Sequence, residues 1–361
     1  MFIERAPFDI DRVTSILRTA DVICVPAGVG VDRFDPYRLS DYRAQAELHG
    51  CRIVFLFDLN VLRRIDSLHP AAGVQPLGEQ ERLAAALMAF AVYANVLLEP
   101  GLALMEWFSP AEREKAAAYL RRFRELDNTN PEVFATLALG WADHVLPHDV
   151  PVLPPVALSE MPERPTGWHF DYTALLKVAI LTLQAERANG SRARAMEDFL
   201  VWCWRDFLFS APAIHFGGLY LSQQRRKRMF KGLRSRDPQK ALAGIANAAW
   251  DLAYLREWGR CALNQRVSNR FHLLCSLDRA LRDIASDFLF VGEDLPLEIH
   301  ERYWKRLWGH SEGRRLLGVF RALAQRLDDS SRAWRFKPDV ETADHLKHGL
   351  ELELRRLVVD C

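Results

Sequence analysis

Two short apolar runs, each followed by an aspartate and then by a helical pattern, constrain the fold of this chain more than any other feature. The first run covers residues 52–57 and is continuous, and the second covers residues 270–276 and is strand-like. Continuous apolar strands are typical of a parallel sheet that is buried between helices. The sequence therefore predicts an α/β fold with a central, mostly parallel sheet.

Helical periodicity surrounds these runs and dominates the rest of the chain. We expect a short strand at 21–25 and helices at 10–20, 59–65, 83–98, 111–126, 131–144, 172–187, 192–208, 241–259, 278–285 and over most of 295–361. Six prolines within 147–165 predict a loop, and we expect breaks at Gly217-Gly218 and at Lys337-Pro338. These patterns predict helical additions around an α/β core.

The domain organisation follows from this distribution. We predict a discontinuous α/β core formed by residues 1–110 and 240–294. Residues 111–239 form a helical insertion in this scheme, and residues 295–361 form a C-terminal helical extension.

Composition places the chain among ordinary globular proteins of the cytoplasm. Of its 361 residues, 49% are hydrophobic and 26% are charged, which excludes a disordered chain. The six cysteines form no Cys-x-x-Cys pair, which suits a reducing compartment. The uncharged stretch 83–98 is shorter than the roughly 20 residues that a membrane-spanning helix needs, so we expect a buried helix there and no membrane.

Four carboxylates stand at the ends of apolar runs: Asp58, Glu106, Asp251 and Asp278. An apolar run buries its end, and an ionised acid at the edge of a core is unfavourable unless something neutralises it. A divalent cation would do so. The four acids are therefore candidates for one metal site.

The order and context of these acids resemble the PIN domain, a family of metal-dependent nucleases. The segment Asp58-Leu59-Asn60-Val61-Leu62 matches the acid, the Asn and the apolar pair after the family's first strand, with Leu59 in place of the usual Thr or Ser. Glu106 matches an acid on a helix, Asp251 matches one that opens a helix leading into a strand, and Asp278 matches one that follows that strand. The resemblance covers residues 50–110 and 240–290, and the 145-residue gap from Glu106 to Asp251 exceeds that of a compact PIN domain.

The resemblance implies a three-layer PIN-like fold and a four-carboxylate site for Mg²⁺ or Mn²⁺ that hydrolyses phosphodiester bonds. In that site Asp58 is the principal ligand, Asp251 and Asp278 share the metal or hold a second one, and Glu106 orients water or completes the ligand shell. Asn60 is expected to hydrogen-bond Asp58 or the substrate phosphate. Without metal, at least one of the carboxyl groups should hold its proton unusually strongly.

Two functions from different classes follow. The first is a metal-dependent endoribonuclease, with RNA favoured over DNA as the substrate. The second is a catalytically inactive PIN-like module for nucleic-acid binding or assembly.

Each acid also has a purely structural interpretation. Asp58 and Asp278 are well placed to cap helices after strands, because aspartate accepts hydrogen bonds from the first N–H groups of a helix. Glu106 could be a solvated helix residue, and Asp251 could pair with Arg256. The functional hypothesis therefore depends on the joint order of the four acids.

A basic run at 225–236 is a candidate substrate contact. Arg225, Arg226, Arg228 and Lys231 could follow a nucleic-acid backbone, with Phe230 available to stack on a base. A solvated charged surface is the alternative. A homodimer is compatible with the many apolar helices, and the sequence identifies no regulatory protein partner.

Rival motifs are weaker. His144 and His148, and likewise His345 and His348, lack the further Cys or His ligands of a zinc site. The pair Arg266 and His272 has the loose spacing of HEPN ribonucleases, but it approaches a strand rather than lying on a helix. No phosphate-binding loop of the Gly-x-x-x-x-Gly-Lys type occurs, which disfavours an ATPase or GTPase.

Overall fold

The computed structural model of the chain describes residues 8–26, 34–73, 76–107, 110–161, 165, 167–222, 229–287, 297–327, 329 and 339–359. Grouped by their contacts, the residues form two compact units. The first unit comprises Met1–Arg164 and Glu257–Asp287, and the second comprises Pro165–Arg256 and Phe288–Cys361.

A four-stranded mixed sheet lies in the first unit. Its strands are β1 (Ile23–Cys24), β2 (Arg52–Phe57), β3 (Leu97–Glu99) and β4 (Arg270–Cys275), in the order β1-β4-β2-β3. Strand β2 runs parallel to β4 and to β3, while β1 pairs with β4 in the antiparallel sense. Phe57 lies opposite Cys275 in the β2–β4 ladder, so the carboxyl ends of these two strands are side by side.

The described residues contain sixteen α-helices. They are α1 (Ile10–Ala20), α2 (Leu39–His49), α3 (Leu59–Asp66), α4 (Glu79–Tyr93), α5 (Gly101–Leu104), α6 (Pro110–Asp127), α7 (Pro131–Ala138), α8 (Trp168–Arg187), α9 (Arg192–Arg205), α10 (Ala211–Leu221), α11 (Pro238–Leu263), α12 (Gln265–Ser268), α13 (Arg279–Asp287), α14 (Leu297–Trp308), α15 (His310–Ala324) and α16 (Val340–Val359). The chain is therefore a mostly helical α/β protein with a small mixed sheet.

The elements around the sheet confirm the sequence patterns closely. Strand β2 covers the predicted run 52–57, and β4 ends one residue before the predicted end of its run. Both strands bury every residue after the first, as continuous apolar strands do between helices. Helix α4 replaces the predicted helix 83–98 and ends at Tyr93, and it buries every residue from Ala84 to Ala91. Among the described residues, no helix combines the length and the apolar character needed to cross a membrane.

Helices α6 and α7 group with the sheet, in contrast to the predicted insertion boundary at residue 111. Helix α7 packs on α4, and α6 packs on α3. Buried polar groups strengthen the second contact: Arg122 donates to both carboxylate oxygens of Asp66 at 2.6 and 3.0 Å, and His69 lies 3.0 Å from Glu125. The predicted helix at 131–144 was too long, because Gly140 adopts a positive φ of 76° after α7 ends at Ala138.

The second unit is built from helices. Helix α8 packs against α9, α10 and α16, and α15 packs against α9 and α14. Helix α8 buries thirteen of the fourteen positions from Phe170 to Leu183, all but Lys177, as expected of a helix at the centre of a helical unit. The contact grouping divides α11 between the two units after Arg256.

The expected chain break at Gly217-Gly218 is wrong, because α10 continues through both glycines. A Cβ atom on Gly217 would lie 2.8 Å from the ring of Phe199 on α9. The glycine therefore permits a close approach of two helices instead of ending one. The other expected break, at Lys337-Pro338, lies outside the described residues.

Candidate active site at the carboxyl edge of the sheet

Asp58 and Asp278 are brought together at the carboxyl ends of two neighbouring parallel strands. Asp58 directly follows β2, and Asp278 follows β4 after Ser276 and Leu277. The hydroxyl of Ser276 joins them: it donates to Oδ2 of Asp58 and accepts from the backbone N–H of Asp278 at 3.0 Å. Ser276 is fully buried, so the polar link between the two strand ends is shielded from solvent.

Asp58 is a buried acid with an unusual proton affinity. Its exposed fraction is 1%, and burial is the main reason that its pKa rises from 3.8 to about 6. The negative charge of Asp278 raises the pKa further, while hydrogen bonds from Ser276, from the Val61 N–H at 2.8 Å and from Asn60 favour the ionised form. One predicted acid therefore holds its proton unusually strongly, mainly because of burial and not because four carboxylates converge, and the Asn60 side chain hydrogen-bonds to Asp58.

Both acids also cap helices. Asp58 has extended backbone angles and caps α3 through the Val61 N–H. Asp278 accepts from the N–H groups of Ala280 at 2.7 Å and Leu281 at 3.4 Å, at the start of α13. The structural interpretation of these two residues is therefore confirmed, and it coexists with their proximity.

Further charged groups lie around this edge. Arg282 donates to the backbone oxygen of Ser276 at 3.0 Å. Burial raises the pKa of the Cys24 thiol to about 12, with Arg282 opposing the shift and Asp21, Asp58 and Asp283 adding to it. A thiol with so high a pKa is protonated at neutral pH and is no nucleophile.

The secondary structure around Glu106 and around Asp251 differs from what the sequence predicts. Glu106 is half-buried in a turn two residues after α5, not on a helix, because α5 ends at Leu104. Asp251 lies in the middle of α11 and does not open a helix, because that helix starts at Pro238, where Asp237 accepts from the Gln239 N–H at 2.9 Å. Asp251 belongs to the second unit by contacts, and the other three acids belong to the first.

The two acids that the structure places at neighbouring strand ends are therefore Asp58 and Asp278, and the Ser276 hydroxyl links the carboxylate of Asp58 to the backbone N–H of Asp278. Within the described ranges, no group of three or more His, Cys, Asp or Glu side chains is arranged to hold a metal ion. The four-carboxylate ligand set stays a prediction from the sequence. Arg256, expected beside Asp251, forms an ion pair with Asp171.

The predicted substrate contacts divide into two groups. Arg225, Arg226 and Arg228 lie outside the described residues, while Lys231 is exposed. Phe230 cannot serve as a stacking platform, which corrects the prediction, because its ring is buried against Phe216 and Tyr220.

The histidine alternatives gain no support from the geometry. His148 lies 3.6 Å from Asp149 and is joined by no third metal-binding group among the described residues. His272 is buried within β4, where a catalytic imidazole could not reach a substrate.

The polar groups that the sequence interpretation missed are Ser276 and Arg282. Ser276 ends an apolar run, which is the same local signal that identifies the acids. Arg282 carries no local signal, since its contact with Ser276 depends on how α13 folds back on the strand end.

Comparison of the chain with protein-family models, with curated proteins and with solved structures found no match. The resemblance to PIN domains therefore depends on the motifs in this sequence alone.

Proposed function

We propose that this chain is a divalent-metal-dependent nuclease whose reaction centre lies at the carboxyl edge of the sheet. The observation that supports this function is the meeting of Asp58 and Asp278 through Ser276 at the ends of two parallel strands. In open α/β sheets, ligands bind outside the carboxyl ends of the strands. The proposal includes a PIN-like, three-layer arrangement of the first unit.

The residues present suit a Mg²⁺ or Mn²⁺ site that has few protein ligands. Mg²⁺ is commonly bound through one or two carboxylates, with waters and substrate phosphates completing its shell. Asp58 and Asp278 would supply those two carboxylates, whereas Glu106 and Asp251 stay ligands proposed from the sequence resemblance alone. When bound, the ion would supply an acidified water and neutralise charge on the phosphoryl oxygens.

The chain's own groups prepare Asp58 for this role. A carboxyl group must lose its proton to bind a cation. With a pKa of about 6, Asp58 is mostly ionised at neutral pH, and the Ser276 hydroxyl and the Val61 N–H fix its orientation. We expect proton and metal to compete for this carboxylate, so that metal affinity increases as the pH rises through 6.

RNA is proposed as the substrate in preference to DNA, on the sequence resemblance alone. The cytoplasmic location and a homodimer are likewise proposals from the sequence.

A second function, the inactive nucleic-acid-binding or assembly module, is favoured by one observation. Both carboxylate oxygens of Asp58 already accept hydrogen bonds from the protein, and the side chain has almost no exposed surface. An acid whose purpose is to cap α3 and join two strand ends would look the same. Cleavage activity separates the two functions.

The test is cleavage of single-stranded RNA by the purified full-length chain. We expect cutting with Mg²⁺ or Mn²⁺, loss of cutting with EDTA, and a loss of about a hundredfold or more in Asp58→Asn, whose ligand is neutral. As a readout besides activity, Mn²⁺ should raise the thermal unfolding temperature of the wild type more than that of Asp58→Asn.

Equal cutting by the variant and the wild type would end the assignment of Asp58. For the inactive module, RNA affinity should persist without turnover and should fall when Arg225, Arg226 and Arg228 are replaced.

A further inference from the structure

Two exposed cationic side chains lie over the ring of a buried tryptophan in the first unit. The guanidinium carbon of Arg63 lies 5.7 Å from the centre of the Trp107 ring, and Nζ of Lys115 lies 5.2 Å from the same centre. Lys115 also lies 5.8 Å from the ring centre of Tyr119, which packs edge-on against Trp107. These distances are those of cation–π contacts. We call Arg63 and Lys115 the ring-held cation pair.

The ring-held cation pair keeps its positive charge available. Neither residue forms an ion pair with any residue that the structure describes, and both are exposed. Their neighbours differ: Arg64 pairs with Glu81, and Arg122 pairs with Asp66. An aromatic ring restrains a cation without neutralising it, so the pair presents two charges whose side chains are already partly ordered.

The position of the pair links it to the candidate active site. Asp58 caps the helix α3 that carries Arg63, and five residues along a helix correspond to about 7.5 Å along its axis. Trp107 directly follows Glu106, just beyond α5. Arg63 therefore lies about one and a half turns along α3 from the strand end that bears Asp58, and Trp107 lies eight residues beyond the carboxyl end of β3.

We propose that the ring-held cation pair binds the phosphate backbone of single-stranded RNA beside the candidate active site. The inference rests on the proposed function for its choice of partner, because carboxylates repel a polyanion and a nuclease needs nearby cations to hold one. Two point contacts to phosphate carry no base recognition, so the surface positions the strand without reading its sequence.

The test measures the salt dependence of RNA binding by the full-length chain. Asp58→Asn protein in EDTA, which is not expected to cut, is titrated against a fluorescent oligouridine at about 50 to 200 mM KCl. The slope of log K against log salt should become shallower by about 0.7 in Arg63→Gln and in Lys115→Gln, and by about 1.4 in the double variant.

A matched control removes the same charge from the other edge of the sheet. Arg43 and Arg52 line a cavity of about 450 Å³ at the amino end of β2, and both are exposed without an ion pair to any described residue. The double variant Arg43→Gln/Arg52→Gln should leave the slope near that of the parent. Thermal unfolding of every variant checks that the fold is kept.

Three outcomes would overturn the proposal: equal slope changes in the two double variants, no RNA binding at the lowest salt, or equal affinity for polyglutamate and for oligouridine. A slope change confined to Arg63 and Lys115 supports the proposal even if the wild type fails to cut RNA. Failure of the wild type to cut RNA would reject the nuclease function alone, so the failure of the nuclease function and the failure of the RNA-binding proposal are distinguishable.

Discussion

The two junctions at the carboxyl edge of the sheet have the same order of elements and different physical characters. In both, a buried strand is followed by an aspartate that caps a helix, namely Asp58 before α3 and Asp278 before α13. Asp58 is almost completely buried, whereas Asp278 is half-buried. The same sequence pattern has therefore produced one acid with a strongly raised pKa and one that faces solvent more.

The difference in burial between Asp58 and Asp278 comes from the neighbours of each strand in the sheet and from the two residues that separate β4 from Asp278. Strand β2 lies between β4 and β3, and Asp58 follows it without a gap, so the acid stays buried. Strand β4 has the two-residue β1 on its other side, and Ser276 and Leu277 separate it from Asp278. The comparison teaches that a helix cap becomes a chemically distinctive acid when it follows a buried strand directly and is itself buried.

Removing the buried charge should produce the largest effect on stability. Asp58→Asn should raise the free energy of unfolding by up to about 3 kcal/mol at pH 8, because the pKa shift from 3.8 to about 6 measures how unfavourable the ionised form is in the folded chain. An acid with a raised pKa weakens the fold as the pH rises from about 4 to about 6. The gain should therefore vanish below pH 4, as measured by urea unfolding across this range.

The matched control for this variant is Asp9→Asn. Asp9 is an exposed cap of α1 that accepts from the Arg12 N–H at 3.1 Å, and asparagine caps helices as well as aspartate does. Its unfolding free energy should change little. A loss of stability in Asp58→Asn at pH 8 would show that the hydrogen bonds of the carboxylate outweigh its burial.

Removing the hydroxyl that joins the two junctions should have the next largest effect. Ser276→Ala should lower the free energy of unfolding by about 2 kcal/mol at pH 8, because a hydrogen bond to an ionised group is lost. At pH 4 the loss should fall to about 1 kcal/mol, since Asp58 is then neutral.

Ser222→Ala provides the comparison for that variant, because Ser222 is equally buried and donates to the neutral Leu219 carbonyl at 3.0 Å. Its loss should be the same at both pH values. A pH-independent loss in Ser276→Ala would mean that the hydroxyl does not sense the charge of Asp58.

The smallest effect is expected at the more exposed junction. Asp278→Ala should lower the free energy of unfolding by about 1 kcal/mol, which is the usual contribution of a side-chain cap. Loss of its negative charge should also lower the pKa of Asp58, which NMR titration of the carboxyl carbon would detect. An unchanged Asp58 pKa would argue that the two acids are electrostatically independent.

Local patterns predicted the first unit better than its surroundings. Helix α1 and strand β2 have the predicted bounds, because strict periodicity and continuous apolar runs report burial directly. The error at Gly217 arose because close helix packing and a chain break both select glycine. The prediction for Phe230 was wrong because its basic neighbours in the sequence indicate an exposed segment, whereas its ring is buried.

The sequence by itself determined strands β2 and β4, most of the helices and the positions of the candidate acids, because each depends on neighbours within one or two turns of chain, whereas β3 begins inside a segment predicted to be helical. Tertiary structure decided which acids meet. Ser276 hydrogen-bonds to Asp58 although 218 positions of the chain separate them. Arg63, Trp107 and Lys115 belong to three different segments, and both cations contact the Trp107 ring. Desolvation and charge depend on everything packed around a group, so no local pattern could distinguish the buried Asp58 from the half-buried Asp278.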